Sequence, residues 1–143
     1  MTLSESLEKA IQLWQQMGVE LLPPADERQV QVVMHQIKQR ASADVVKLYQ
    51  AVGGFHGVDR NCWSLFSLER VLKENAGNDK PQWRFSDGLI DSFFFNLQYE
   101  NESVSSVWID QGGDAIYQVA DGLAEFFDIY LTDPTELWLT GGC

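Results

Sequence analysis

The clearest alternation of apolar and polar residues in this chain runs over Phe93-Phe-Phe-Asn-Leu-Gln-Tyr99. Its large apolar residues recur at every second position, as at Phe93, Phe95 and Leu97, and polar residues such as Asn96 lie between them. Because successive side chains of a β-strand point to opposite faces, this alternation predicts a strand that buries one face.

The same alternation returns twice downstream of this strand. Val107 and Ile109 follow a short turn at residues 100–103, and Tyr117 follows a second turn at residues 111–114. Turns this short join antiparallel strands. The second half of the chain therefore predicts an antiparallel meander.

A last helix is expected to close the meander. Asp121 can cap its first turn, and Asp133-Pro134 can end it. Its apolar stripe at helical spacing consists of Leu123, Phe126, Phe127, Tyr130 and Leu131.

Three helices are predicted upstream of the sheet. A capping box at Thr2 opens the first, which covers residues 1–18, and Asp26 can cap the second. The third should stop at the Gly53-Gly54 pair, where a left-handed terminus is easily adopted.

Residues 54–61 lack any period and are predicted to form a loop. A short strand at residues 63–66 and a short helix capped by Ser67 lead from this loop toward the meander. Since no repeat or linker divides the chain, residues 1–143 should form one domain. The predicted fold class is α+β, with an antiparallel meander sheet packed against N-terminal helices and closed by a C-terminal helix.

The formal net charge of −11 comes from the second half of the chain. Up to Arg84, acids and bases balance at ten each, whereas residues 85–143 contain eleven acids and no Lys, Arg or His. Aromatic residues are too frequent there for a solvated acidic tail. A folded acidic surface favours a basic protein partner and argues against direct nucleic-acid binding, since phosphates would be repelled.

The cysteines and the N-terminus lead to an expected location. Cys62 and Cys143 are far apart in sequence, so a disulfide is poorly motivated and both are expected to be free thiols in a reducing compartment. The N-terminus lacks the basic and apolar regions of a secretory signal, and no apolar run reaches the roughly 18 residues of a membrane span. The chain is therefore predicted to be cytoplasmic and without membrane contact.

Five segments carry a family likeness through their order along the chain. Pro-Pro-Ala-Asp-Glu opens a helix, a later helix ends in Gly-Gly-Phe, and Trp-Ser-Leu-Phe precedes a short helix ending in Glu-Asn. Phe-Ser-Asp-Gly then enters the meander, and Val-Trp-Ile-Asp precedes the last helix. The segments occupy residues 23–27, 45–55, 63–75, 85–88 and 107–127. In this order they resemble the SMI1/KNR4 family, also called the SUKH superfamily, over residues 23–132. The helix at residues 1–18 lies outside the resemblance.

The resemblance implies protein binding rather than catalysis. Many bacterial members of the superfamily are immunity proteins that neutralise secreted toxins, often nucleases, and fungal members act as regulatory hubs. Toxin neutralisation is therefore the leading expectation, and a cytoplasmic scaffold or regulatory hub is the alternative. A nuclease is typically basic because it must hold phosphates, so an acidic inhibitor would be steered to it.

Two sets of residues are candidates for partner binding. The first lies in the loop and its flanks, where an aromatic side chain could anchor an interface or belong to the core. It consists of Phe55, His56, Asp59 and Trp63. The second contains acids at strand ends, which could dock a partner or simply keep the sheet edge polar. It consists of Asp87, Asp91, Glu102, Asp110 and Asp114. The first helix could cover the sheet or mediate a homodimer.

No motif for catalysis or metal binding is present. His56 has no Ser or Cys nucleophile motif around it, and no pair of His or Cys residues has the spacing of a zinc site. The one remaining enzyme hypothesis is a carbohydrate-active hydrolase that uses Asp91 and Asp110 as an acid pair. That chemistry requires carboxyl groups about 5 to 10 Å apart in a cleft. We expect a protein that is not an enzyme and that binds no metal or cofactor.

Overall fold

The computed structural model describes residues 1–113 and 115–139, and these form an α+β fold. The helices are α1 Leu3–Gln16, α2 Glu27–Gln36, α3 Ala43–Ala51, α4 Leu68–Glu74 and α5 Leu123–Thr132, followed by a 3₁₀-helix at Pro134–Leu137. The strands are β1 Glu20–Leu21, β2 Phe55–His56, β3 Trp63–Leu65, β4 Gln82–Gly88, β5 Phe93–Tyr99, β6 Ser105–Asp110 and β7 Ile116–Ala120.

The main sheet is an antiparallel meander in the order β3-β4-β5-β6-β7. Its centre is β5, where Leu97 lies opposite Trp83 of β4 and Val107 of β6. All three side chains are fully buried, so the alternation of β5 does mark one face of a core. The predicted fold class is confirmed.

The helices α1 and α5 cover the inner face of this sheet. The ring of Trp14 in α1 stacks on Trp63 of β3 with centroids 5.7 Å apart. The ring of Phe126 in α5 meets Phe95 of β5 at 5.2 Å. Of the two roles predicted for the first helix, covering the sheet is therefore the one observed.

Helix starts follow the sequence signals in most cases. The side chains of Thr2 and Asp26 each accept a hydrogen bond from the backbone three residues on, as expected of capping boxes. At α5 the N-cap is Gly122 rather than Asp121. Asp121 instead donates its backbone N–H to the Glu125 carboxylate at 2.9 Å.

Strand β4 was not predicted. Asp87 and Gly88 lie at its end, where Asp87 pairs with Ser64 of β3. The register shifts between Arg84 and Ser86, so a bulge interrupts the alternation by which a strand is recognised. The small and polar residues at the end of β4 also make the strand difficult to recognise from sequence.

The Gly53-Gly54 pair does not form the left-handed end of α3. The helix already ends at Ala51, and only Gly54 of the pair has a positive φ, 124°. Gly53 is required for a different reason, because a β-carbon there would lie 1.9 Å from the carbonyl oxygen of Pro23. The next two residues form β2, which pairs with β1, so residues 54–61 are not entirely loop.

Cys62 differs from expectation. It is disulfide-bonded, so the prediction of a free thiol there is wrong, while Cys143 lies outside the described residues. Separation along the chain does not limit which residues a fold brings together. Because disulfides persist mainly in oxidising compartments, the cysteines no longer favour the predicted cytoplasmic location. In the part of the chain that the structure describes, no helix is both long and apolar enough to cross a membrane.

Candidate functional site

The two aromatic candidates of the predicted recognition loop belong to the core. Trp63 has no exposed surface, and Phe55 is nearly as well buried. The ring of Phe55 lies 5.3 Å from that of Trp63 and 4.8 Å from that of Trp14. These rings hold the loop in place and are not available as surface anchors.

Asp59 is also buried, and its carboxylate organises the loop from within. One oxygen accepts the backbone N–H groups of Asn61 at 2.8 Å and Trp63 at 3.0 Å. The other accepts the hydroxyl of Tyr130, which in turn accepts the indole N–H of Trp14 at 2.8 Å. Burial raises the pKa of Asp59, while these hydrogen bonds oppose the rise. The network joins the loop to α1 and α5 and has a structural role.

His56 is the predicted loop residue that does reach the surface. Its Nε2 atom lies 3.9 Å from the Glu20 carboxylate, and both side chains are largely exposed. The pairing links β2 to β1 at the protein surface.

Asp87 and Asp91 share one arginine of α4. The Nη2 atom of Arg70 lies 3.3 Å from a carboxylate oxygen of Asp87 and 3.0 Å from one of Asp91. The Nε atom of the same arginine lies 3.6 Å from the Glu74 carboxylate. The guanidinium also sits 3.9 Å above the ring of Phe66. Asp87 is buried, with its side chain only 3% exposed, whereas Asp91 remains largely exposed.

Asp110 is paired in a similar way with a different arginine. It lies 3.6 Å from Arg84, whose guanidinium sits 3.9 Å above the ring of Phe94. Asp110 also lines a polar cleft of about 230 Å³ together with Glu74, and the lining of this cleft does not include Asp91. The two acids of the hydrolase hypothesis are therefore bound by separate arginines and do not share this cleft.

The acidic candidates are divided between two ends of the sheet. Glu102 is exposed in the turn after β5, whereas Asp91 precedes β5. The seven residues of β5 separate them by roughly 20 Å. Asp87, Asp91 and Asp110 each lie within 4 Å of an arginine from the balanced first part of the chain. Asp114 lies outside the described residues.

The turn between β4 and β5 has an unusual backbone. Leu89, Ile90 and Asp91 have φ angles of 51°, 53° and 63°. Left-handed conformations cost about 1 to 2 kcal/mol per residue, and a β-branched residue is especially unfavourable there. The turn is held by the Leu89 N–H, which donates to the carbonyl of Cys62 at 2.8 Å, and by the Asp91 N–H, which donates to Asp87 at 3.1 Å. The Ile90 side chain is nevertheless 64% exposed.

Three segments meet around this turn and expose apolar side chains. They are residues 57–62, 89–92 and 138–139, and we call them the loop end. The turn contacts the first segment through its hydrogen bond to Cys62, and the Leu139 side chain lies so close to Gly88 that a β-carbon there would come within 3.1 Å of it. Besides Ile90, the exposed apolar residues are Val58 at 37% and Trp138 at 48%. An apolar surface on loops at one end of a sheet is a candidate interface.

The sequence near Ile90 contains a signal that an apolar residue is exposed there, but no signal indicates that Arg70 contacts the turn. Leu89-Ile90 directly follows Asp87-Gly88, and an apolar pair is unusual where a hairpin turn normally carries polar residues. Arg70 reaches Asp91 across 21 positions of the chain, and nothing near α4 identifies that partner.

Among the described residues, no group of three or more His, Cys, Asp or Glu could hold a metal ion. The chain matches no protein-family model, and a search of curated proteins also finds no match.

Proposed function

We propose that this chain is a non-catalytic protein-binding domain that docks its partner through the loop end. The strained turn that holds Ile90 in solvent is the observation that carries this proposal. Backbone strain tends to persist where it serves a function, and exposed apolar anchors are typical of protein interfaces. Val58 and Trp138 belong to the two segments that contact this turn through Cys62 and Leu139, and they would supply further apolar contact area.

We further propose that the partner is a basic toxin domain and that the chain is an immunity protein that neutralises it. The net charge of −11 supports a basic partner, since long-range attraction raises association rates by ~10 to 10³-fold. The resemblance to the SUKH superfamily supports the toxin. A partner without toxicity would favour a scaffold or regulatory hub instead.

The class of toxin is linked to the location of the chain. A nuclease reaches its substrate in the cytoplasm, so an inhibitor of a nuclease would act there. The disulfide at Cys62 is more typical of an oxidising compartment. Fractionation of native cells separates the two cases, because a chain found outside the cytoplasm would exclude a nuclease that acts inside it.

Replacing Ile90 with glutamate should weaken partner binding by roughly 30-fold, the loss of about 2 kcal/mol expected of a central anchor. The protein to test is the product of the neighbouring gene, because the gene of an immunity protein is expected to lie beside that of its toxin. Titration calorimetry with the purified domain measures affinity, and survival of cells that express both proteins measures neutralisation.

The matched control is Val32→Glu. Val32 is a β-branched residue of α2 with 51% exposure, outside the loop end, so this change adds the same charge elsewhere. Equal losses for Ile90→Glu and Val32→Glu, or tight binding by both variants, would argue against the loop end as the docking surface.

A further inference from the structure

The turn that carries Ile90 is surrounded by more negative charge than its single arginine can balance. Asp87, Asp91 and Glu74 all lie within 3.6 Å of the guanidinium of Arg70. Three ionised carboxylates around one cation leave an excess of negative charge, and part of it is buried.

One carboxylate oxygen of Asp87 has no hydrogen-bond partner among the described residues. Its Oδ2 accepts hydrogen bonds from the Asp91 N–H and from Arg70, whereas its Oδ1 is buried and accepts none from residues 1–113 and 115–139. An ionised carboxylate in this position loses hydration that the protein does not replace. A proton taken up from solvent would remove the charge and make Asp87 a donor to the neighbouring Asp91 carboxylate.

The charged groups around Asp87 come from three elements. Arg70 and Glu74 face it from α4, and Asp91 faces it from the turn. Asp110 of β6 is separated from Asp87 by Phe94, which pairs with both residues across the sheet. The Asp110 carboxylate forms an ion pair with Arg84. The directly adjacent residues of β3 and β5, Ser64 and Phe94, are uncharged.

The turn depends on this carboxyl group for its shape. The Asp91 N–H that Asp87 accepts belongs to the third of the left-handed residues. Among the described residues, two further backbone N–H groups hold the turn, Leu89 donating to the Cys62 carbonyl at 2.8 Å and Ser92 to the Gly88 carbonyl at 3.2 Å. The Ser92 hydroxyl also donates to the Leu89 carbonyl at 2.7 Å. Because three left-handed residues oppose these bonds, repulsion between Asp87 and Asp91 can shift the balance between a closed and an open turn.

We propose that the β4–β5 turn is a proton-controlled element: a proton shared by Asp87 and Asp91 keeps it closed with Ile90 presented outward, and loss of that proton loosens it. The consequence for partner binding rests on the proposed function, whereas the titration of the turn does not.

The direction of the effect follows from the preference of the closed turn for the protonated acid. Burial, followed by the hydrogen bond to the Asp91 side chain, raises the pKa of Asp87 from 3.8 to about 6, although Arg70 acts in the opposite direction. Between these values the closed turn holds a proton that an open, solvated turn would release. Closure is therefore fully favoured below pH 3.8 and weakens as pH rises through about 6. A shift of this size corresponds to roughly a 100-fold change in the opening equilibrium.

The test uses nuclear magnetic resonance of the free, full-length protein. We expect the side-chain carboxyl carbon of Asp87 to titrate near pH 6, and the amide signals of Leu89 and Asp91 to shift with the same midpoint. Protection of the Asp91 amide against exchange should also fall above that pH, after correction for intrinsic exchange. The proposal would be overturned if the Asp87 carboxyl of the wild-type protein titrated with a midpoint close to pH 3.8. It would also be overturned if the amide signals of the turn did not change with pH.

Two variants separate this proton from other titrations. Asp87→Asn mimics the protonated acid, can donate to Asp91 and should make the turn independent of pH. Asp110→Asn removes a carboxylate from the other arginine pair and should leave the transition in place. If the pH transition of the turn persists in Asp87→Asn, another group must cause it and the proposal is rejected. If Asp87→Asn does not fold, the carboxyl titration of the wild-type protein decides.

Partner affinity provides the second readout. Binding of the toxic domain should be tighter at pH 5.5 than at pH 7.5 in the wild-type protein, and this difference should vanish in Asp87→Asn. If the turn titrates but the affinity does not change, control of Ile90 presentation is refuted and the proposed function remains. If no partner binds, the proposed function fails, and resonance data on the free protein still decide whether the turn is proton-controlled.

Discussion

Replacing Trp63 with alanine should lower the free energy of unfolding by about 3 to 5 kcal/mol, the range for removal of a buried tryptophan. The residue has no exposed surface and lies at the meeting point of β3, α1 and α5. Its ring contacts those of Trp14 at 5.7 Å and Tyr130 at 5.2 Å, and its indole N–H donates to the Ser86 hydroxyl at 3.1 Å. The substitution would leave a large cavity and an unsatisfied polar group. Urea unfolding followed by far-UV circular dichroism measures the loss.

Trp138→Ala is the matched control, because it removes the same side chain from the surface. Trp138 is 48% exposed, so its replacement should change stability much less than that of Trp63. If both variants lose the same stability, the core does not centre on Trp63. The two indoles also differ in fluorescence, since only the exposed one should be quenched readily by iodide.

Replacing Asp59 with alanine should lower the free energy of unfolding by about 3 kcal/mol, because each buried donor left without an acceptor costs about 1 to 3 kcal/mol. The donors are the backbone N–H groups of Asn61 and Trp63 and the hydroxyl of Tyr130. The hydroxyl of Tyr130 also accepts from Trp14, so the change reaches α1 as well. Thermal and urea unfolding measure the effect.

A graded series distinguishes this network from a simple loss of charge. Asp59→Asn keeps one acceptor oxygen and should cost less than Asp59→Ala. Asp79→Ala removes an exposed carboxylate from the loop after α4 and should change stability by no more than about 0.5 kcal/mol. Equal stability of Asp59→Ala and the wild-type protein would mean that the loop does not depend on this network.

The parts of the fold that sequence predicted are those with uninterrupted local periodicity. The alternation in β5 and the helical stripe that includes Phe126 and Tyr130 both mark a buried face, because apolar spacing reports directly on which side of an element avoids water. Capping residues such as Thr2 could be recognised for a similar reason, since each bonds a residue three positions away. These signals sufficed for the α+β meander.

The parts that sequence missed depend on irregular backbone. A bulge beside Arg84 and small polar residues hid β4, although Trp83 and Phe85 within it are fully buried. The turn at Leu89 was missed because three consecutive left-handed residues other than glycine contradict local preference. Such a conformation survives only through contacts supplied by the rest of the molecule.

For the candidate site, the amino-acid sequence was enough to establish composition: an acidic second half, a set of aromatic residues and a loop beside them. Which of these groups remain accessible became clear only from the folded structure. It buried Phe55 and Asp59, placed Arg70 against Asp87, and left Ile90 in solvent. Composition is a sum over residues and needs no coordinates. Accessibility and charge pairing depend instead on contacts between residues far apart in the chain, and these form only when the sheet and helices pack together.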